Sequence, residues 1–468
     1  MSEAAEIHHS EFEETEPESP NTSNNWGGAV LLPRLFNKGD FYFGVADNGI
    51  QNEGSNTNSD WSSWLTPDQR IKMAKQARTR DWGQGRVLDL PEIASHPDTY
   101  DISRAPDHWN RYLEDYAIAK QLEQETLHTS IEWSRIQPEQ NAVYDKEAIE
   151  HYRKMWRACR AYGMEPIIDL SHFALPKWAE KLGGWESTKV VDEFATFAES
   201  MAKEYREEIH YWSTFNEPDT YTSMVYLPWP IMHKGGSWLR YTQGPHHFLN
   251  ARKNMVTANK EAYLAIKQAV PDADVGFTVS QVHCDSESDA LSRGVKKGMS
   301  SVANEYFAKH MAPHADWVGM QYYMHAHINK WRAFDNKFEQ RTDEGWEIYP
   351  EGTYHRLKWL SSEVAKKNNI PIIVSESGLA DRADKYRAQY IKDCIKWTRR
   401  AVEDDGVDCR GFNYWCLLDN FEWDRGLWAN YGLIKIDQDD KQRRYIRPSA
   451  LSYAATIREY KAKRNKAA

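Results

Sequence analysis

The chain has 468 residues, 59 basic and 69 acidic, a formal charge of −10, and 13% aromatic residues including 20 Trp. With no sustained basic stripe this balance argues against nucleic acid as a partner, and without a run of about 18 apolar residues it argues against a membrane span. Five dispersed cysteines (Cys159, Cys284, Cys394, Cys409, Cys416), odd in number and lacking CxxC spacing, argue against a zinc site or disulfide framework. They suit a reduced, cytoplasmic protein with no visible signal peptide.

Residues 1–25 hold seven glutamates and no Lys or Arg. Such a segment buries too little surface to offset its ordering entropy, so residues 1–30 read as a flexible acidic tail. His8 and His9 within it read as solvated. No linker divides the remainder, and single α/β barrels with insertions exceed about 400 residues, so 31–468 reads as one domain.

From residue 40, strands alternate with helices. Strands are expected at Phe41–Ala46, Thr126–Trp133, Glu165–Leu170, His210–Asn216, Val275–Ser280, Trp317–Tyr322, Pro371–Ser375 and Gly411–Cys416. Helical periodicity marks Thr188–Glu204, Tyr354–Lys367 behind a Thr353 cap, Asp384–Glu403 and Pro448–Lys461. Eight strand–helix units imply a parallel sheet closed into a (β/α)8 TIM barrel. Long connections follow the first strand (47–104), Glu217 (to 244) and Tyr323 (to 352), all at strand C-termini, where barrels build substrate sites. A short helix is expected near Pro67–Arg78.

Two carboxylates stand out. Tyr211-Trp-Ser-Thr-Phe-Asn-Glu-Pro218 reads as a buried strand that stops at Glu217, because Pro218 has no amide hydrogen for a ladder. Ile370-Pro-Ile-Ile-Val-Ser-Glu376 has the same form. A retaining glycosidase needs two carboxyl groups roughly 5 Å apart, one to protonate the departing oxygen and one to attack the anomeric carbon. Trp in such abundance suits stacking on sugar rings.

Several segments resemble glycoside hydrolase family 1, the retaining β-glycosidases. Thr214-Phe-Asn-Glu-Pro218 matches its acid/base motif, and Val374-Ser-Glu-Ser-Gly378 is similar to its nucleophile motif, usually (Ile/Val)-Thr-Glu-Asn-Gly. Asn413-Tyr-Trp-Cys-Leu-Leu-Asp-Asn-Phe-Glu-Trp423, with Tyr431-Gly-Leu following, is close to its YWSLLDNFEW segment. Phe41–Ala46 with Gln51, Glu53 and Gly54 resembles its opening, Ser171-His-Phe-Ala-Leu-Pro176 its His-(Trp/Phe)-x-Leu-Pro loop, and Ile131-Glu-Trp-Ser-Arg-Ile136 its second strand. The likeness spans roughly residues 40 to 460 and leans to the archaeal-type branch.

The resemblance implies Glu217 as acid/base with a raised pKa and Glu376 as an ionised nucleophile. It implies Asn216 on the sugar 2-hydroxyl, with Gln51, His172, Glu422 and Trp423 on the 3-, 4- and 6-hydroxyls. Trp415 becomes a stacking platform and Tyr323 a donor to the nucleophile. Taken alone, His172 is equally a structural histidine, Trp415 barrel core and Gln51 a loop amide. Glu422 would repel a phosphate dianion, where relatives acting on 6-phosphorylated sugars carry serine, so unphosphorylated substrates are expected. His325 and His327 alternate onto one side of an extended segment, at the aglycone end of the cleft rather than on a metal.

The pattern departs at His128, where the family has an arginine that holds the nucleophile ionised, and at Gln321, where it has asparagine. Ser375 and Ser377 replace the usual Thr and Asn. These changes bear on rate, pH range and substrate range rather than reaction type. The expected activity is exo-acting hydrolysis of β-glucosides, secondarily β-galactosides or β-fucosides, without cofactor or metal. The expected partners are small-molecule β-glycosides or oligosaccharides. Two alternatives stay open: a carbohydrate-binding barrel that has lost turnover, and a transglycosidase or glycosyltransferase using the same carboxylates.

Overall fold

The computed structural model describes residues 37–77, 90–141, 143–226, 246–329 and 340–467. The acidic tail expected over 1–30 lies outside them, as does Arg78. Eight parallel strands close a barrel: β1 (Tyr42–Ala46), β2 (Thr126–Ser130), β3 (Glu165–Asp169), β4 (Tyr211–Ser213), β5 (Asp274–Ser280), β6 (Trp317–Tyr322), β7 (Ile372–Ser377) and β8 (Cys409–Trp415). Each pairs with its sequence neighbours, and β8 returns to β1. Two short two-stranded sheets stand outside it, a parallel pair of His283–Ser286 with His325–Ile328 and an antiparallel pair of Ile434–Asp437 with Arg443–Ile446.

The period-two alternation of a strand sorts the side chains. Phe43, Val45, Leu127, Ile168, Trp212, Phe277, Val318, Val374 and Phe412 belong to the main core shared with the helices, where Val190, Phe194, Phe197 and Met201 of helix Thr188–Glu204 are buried. Ile167, Tyr211, Trp317 and Ile373, with Tyr42 against them, form a separate cluster. Their parity is opposite to that of the outer set, so they plug the lumen. Gly276 leaves room for that plug: a Cβ there would lie 2.3 Å from the Trp317 ring. The next inward positions toward the strand C-termini turn polar, with His128, Asp169, Ser213, Thr278, Gln321, Ser375 and Asn413 all buried.

Most elements match their expected positions, and the differences have local causes. β4 is shorter than expected because Thr214–Asn216 leave the ladder, although Thr214 N still donates to Gly276 O at 2.9 Å and Asn216 N to Ser171 O at 2.9 Å. β2 ends at Ser130, and Trp133–Ile136 forms a helical turn. The helix expected from Tyr354 begins at Gly352, so Thr353 lies in its first turn rather than at its cap, and its hydroxyl faces Cys394 Sγ at 3.8 Å. The connection after β1 contains helices Gly49–Asn52, Asp60–Trp64 and Pro67–Ala77. All five cysteines are buried and unpaired. Among the described residues, no helix is long and apolar enough to cross a membrane.

Candidate active site

Pro218 does more than stop a strand. It opens helix Pro218–Tyr226, the first helical position being the one where proline's missing donor costs nothing. Glu217 is held between Asn216 and that helix at φ +39°. Phe173 (φ +64°) and Trp423 (φ +44°) share this uncommon left-handed backbone on the same cavity wall. For non-glycine residues it persists where surrounding structure enforces it, and it clusters at functional sites.

Glu376 is placed by a different device. Gly319 pairs with Ile373 and Met320 with Val374, but Gln321 pairs with Glu376. Ser375 is therefore an extra residue in β7. Such a bulge bends its strand and re-aims a side chain, and here it puts Glu376 opposite inward-facing Gln321.

His172, Asn216, Glu217, Tyr323, Glu376, Trp415, Glu422 and Trp423 line one cavity of about 450 Å³. Three expected residues stand behind its wall. Gln51 Nε2 donates to Phe421 O (2.9 Å) and Glu422 Oε2 (3.3 Å), leaving Gln51 Oε1 buried without a protein partner. Gln321 Nε2 donates to Asn216 Oδ1 at 2.6 Å. His128 meets the backbone of Ser375 (Nδ1 to O, 3.4 Å) and Asp169 (Nε2 to Oδ2, 3.0 Å). It thus reaches the residue before Glu376 rather than the Glu376 carboxylate, because an imidazole is too short to span the distance an arginine covers.

The electrostatics follow from burial. The Glu217 carboxyl is pushed up to about 7 by burial, against hydrogen bonds from Thr220 and Ser280. Glu376 is raised well above the carboxylate range, first by burial and then by the charge of Glu217, with smaller pushes from Asp169 and Glu422. Opposing them, Tyr323 donates to Glu376 Oε2 at 2.6 Å. Each carboxyl is therefore harder to ionise while the other is charged. Their Oε1 atoms have no protein partner. The Tyr323 hydrogen bond acts in the direction that favours an ionised Glu376.

Residues not anticipated from sequence complete the site. Asp169 ends β3 fully buried, between His128 and His172 Nδ1 (3.1 Å). Burial alone would raise its carboxyl, but the two histidines outweigh burial and hold it at about 2. The signal was present: a lone carboxylate closing Pro-Ile-Ile-Asp, the same setting as Glu217 and Glu376. Beside Glu422, Arg425 Nε donates to Glu344 Oε1 (2.5 Å) and Nη1 to Asp424 Oδ1 (2.5 Å), while the Tyr431 hydroxyl bonds Glu344 Oε2. The Glu422 carboxyl is itself raised to about 8, by burial and then by the charge of Glu344. Beyond Glu217 the wall turns apolar, with Met224, Val282, Cys284, Met299, Val302 and Ala303.

His325 and His327 are not on that wall, which corrects the expectation of an aglycone role. His325 Nδ1 pairs with Glu347 Oε2 (2.5 Å), and His327 with Asp285 and Glu287. These partners come from loops and from the short strand beside theirs, whose positions the sequence does not reveal. Among the described residues, no group of three or more His, Cys, Asp or Glu is arranged to hold a metal.

Known proteins are similar in sequence and in fold. The glycosyl hydrolase family 1 profile matches residues 38–312 and 289–462. A β-galactosidase of Sulfolobus acidocaldarius is 26% identical, covering 90% of this chain and 95% of its own. Beta-glucosidase A of Acetivibrio thermocellus is 26% identical over 76% of this chain and 87% of its own. The crystal structure of a hyperthermophilic β-glucosidase from Pyrococcus furiosus superposes with a TM-score of 0.75 at 25% identity, covering 90% of this chain and 96% of that one. With a closed eight-strand barrel, two carboxylates on one cavity and a profile match over most of its length, the chain belongs to glycosyl hydrolase family 1 and is a glycoside hydrolase.

Proposed function

We propose that this chain is an exo-acting, retaining β-glycosidase of unphosphorylated β-glucosides, with β-galactosides or β-fucosides as secondary substrates. The observation that carries this reading is the Glu217–Glu376 pair: two buried carboxyls in one cavity, both raised, with Tyr323 donating to Glu376. In its reactive form the pair holds one proton, on Glu217. Ionised Glu376 attacks the anomeric carbon while Glu217 gives its proton to the departing oxygen, leaving a glycosyl ester on Glu376 and a free aglycone. Glu217, now ionised, takes a proton from water, whose oxygen attacks the same carbon. The ester breaks, the sugar leaves with its anomeric configuration retained, and the original protonation returns.

Asn216 faces the 2-hydroxyl, Glu422 and Trp423 take the remaining hydroxyls, and Trp415 lies against the ring, while His172 holds Asn216 and Gln51 holds Glu422. The Glu422 carboxyl, on the cavity wall, is an acceptor for hydroxyl protons. Phosphate is disfavoured at that end, because Arg425 is already matched by Glu344 and Asp424. The β-glucosidase and β-galactosidase names of the relatives support the substrate class. Met224, Val282, Met299 and Val302 on the cavity wall support an aglycone with an apolar part, and polar Asp219, Thr220, Ser223, Ser280 and Gln281 on the same wall offer partners to hydroxyls.

Mass spectrometry after exposure to a 2-deoxy-2-fluoro β-glucoside tests the mechanism, with one sugar expected on Glu376. A label on another residue refutes the assignment. Tight sugar binding with no hydrolysis of a chromogenic β-glucoside would favour a binding barrel that has lost turnover.

A further inference from the structure

Asp169 lies behind the cavity wall at the end of a hydrogen-bonded chain whose direction can be worked out from fixed donors and acceptors. The Glu217 backbone N–H can only donate, and it meets Thr278 Oγ1 at 3.3 Å. That hydroxyl donates to Asn216 Oδ1, 2.8 Å away, where Gln321 Nε2 also donates at 2.6 Å. With Oδ1 receiving two donors, Asn216 turns Nδ2 toward His172 Nε2 at 2.9 Å. An amide nitrogen donates, so Nε2 must be the bare ring nitrogen. The His172 proton is then on Nδ1, facing Asp169 Oδ2 at 3.1 Å. Burial lowers the His172 pKa and favours this neutral ring.

We propose that Asp169 is a positioning residue of the active site: as the terminal acceptor, it keeps the His172 proton on Nδ1 and so aims the remaining Asn216 N–H at the sugar 2-hydroxyl. This rests on the proposed glycosidase reading. Were the proton on Nε2, two donors would face each other across 2.9 Å. The Asn216 amide would then have to turn over, presenting nitrogen to Thr278 and Gln321. His128 Nε2 lies 3.0 Å from the same Asp169 Oδ2, so β2, β3 and the loop after β3 meet at one oxygen. The Asp169 charge in turn pushes the Glu376 carboxyl up.

Nitrogen-15 histidine NMR on the full chain, with His172 assigned by its loss in His172→Gln, reads the tautomer directly. In parallel, kcat/KM is measured for an aryl β-glucoside and its 2-deoxy counterpart, in the native chain, Asp169→Asn, Asn216→Ala and the double variant. The native His172 should carry its proton on Nδ1 and lose that preference in Asp169→Asn. The variant should lose about 10- to 100-fold on the glucoside, much less on the 2-deoxy glycoside, and little more when Asn216→Ala is added. Equal losses on the two substrates would mean a purely structural role and overturn the proposal. If Asp169→Asn does not fold, the native tautomer decides: a proton on Nε2 in a chain that hydrolyses both glycosides overturns this inference alone. A native chain hydrolysing neither removes the glycosidase reading, and the inference with it.

Discussion

Removing one hydroxyl, in Tyr323→Phe, isolates what keeps the proposed nucleophile reactive. Tyr323 donates to Glu376 Oε2 at 2.6 Å in a buried site. Its phenol is pushed well above its ordinary range by burial and then by the Glu376 charge, so it stays a donor throughout the working pH range. A hydrogen bond to a charged group contributes about 1.5–3 kcal/mol, and about 1.4 kcal/mol is a factor of ten. The sign is fixed by direction: Tyr323 lowers the Glu376 pKa, so its loss raises it and moves the proton of the reactive form from Glu217 toward Glu376. The fraction of the pair in the reactive tautomer then falls by about 10- to 100-fold, and kcat/KM at the optimum falls with it. Any movement of the acid limb must be upward. The assay is kcat/KM for a chromogenic β-glucoside from about pH 4 to 9, with the melting temperature confirming that the variant is folded. A bell that superimposes on the native one, or an acid limb displaced downward, would refute the reasoning.

Other residues make independent tests. Glu217→Gln cannot return a proton to the leaving oxygen, so glycosides with poor leaving groups should lose about 10²- to 10⁴-fold while activated aryl glycosides lose less; rates across a leaving-group series check this. The Glu422 carboxyl, raised to about 8, favours the folded state fully below its ordinary value, a contribution lost as pH rises through about 8. Glu422→Gln should therefore flatten the fall in melting temperature between about pH 5 and 8, a difference of up to ~4 kcal/mol, while kcat/KM drops; parallel unfolding curves in the two chains would count against it. Gly276→Ala places a methyl 2.3 Å from the Trp317 ring and should destabilise by about 1–3 kcal/mol, read as a lower melting temperature.

Local patterns were legible wherever one element's own chemistry sufficed. Apolar runs closed by Glu217, Glu376 or Asp169 announce buried strands with polar tips, and alternation alone separates Trp212 and Phe277 from Tyr211 and Trp317. Helix Thr188–Glu204 follows from the spacing of Val190, Val191, Phe194, Phe197, Ala198 and Met201. Asp169 was equally visible but carries no motif, and without a partner in sequence a single buried carboxylate has no assigned purpose. The roles of Arg425 and Glu344 were hidden because their pairing joins segments far apart in the chain.

The sequence by itself determined the repeat that closes the barrel, the two glutamates at strand ends and the family they point to, because these depend on period, punctuation and residue type along a continuous stretch. Only the tertiary structure decided which way those groups face and what they share. The extra residue at Ser375 turns Glu376 inward, a register property of two strands together. His128 was expected beside the nucleophile, yet it holds Asp169, because that carboxylate comes from the neighbouring strand and lies within an imidazole's reach. Protonation, too, belongs to the fold: the raised carboxyls of Glu217 and Glu376 and the lowered pKa of His172 follow from burial and from neighbours that the chain brings together only once it has closed on itself.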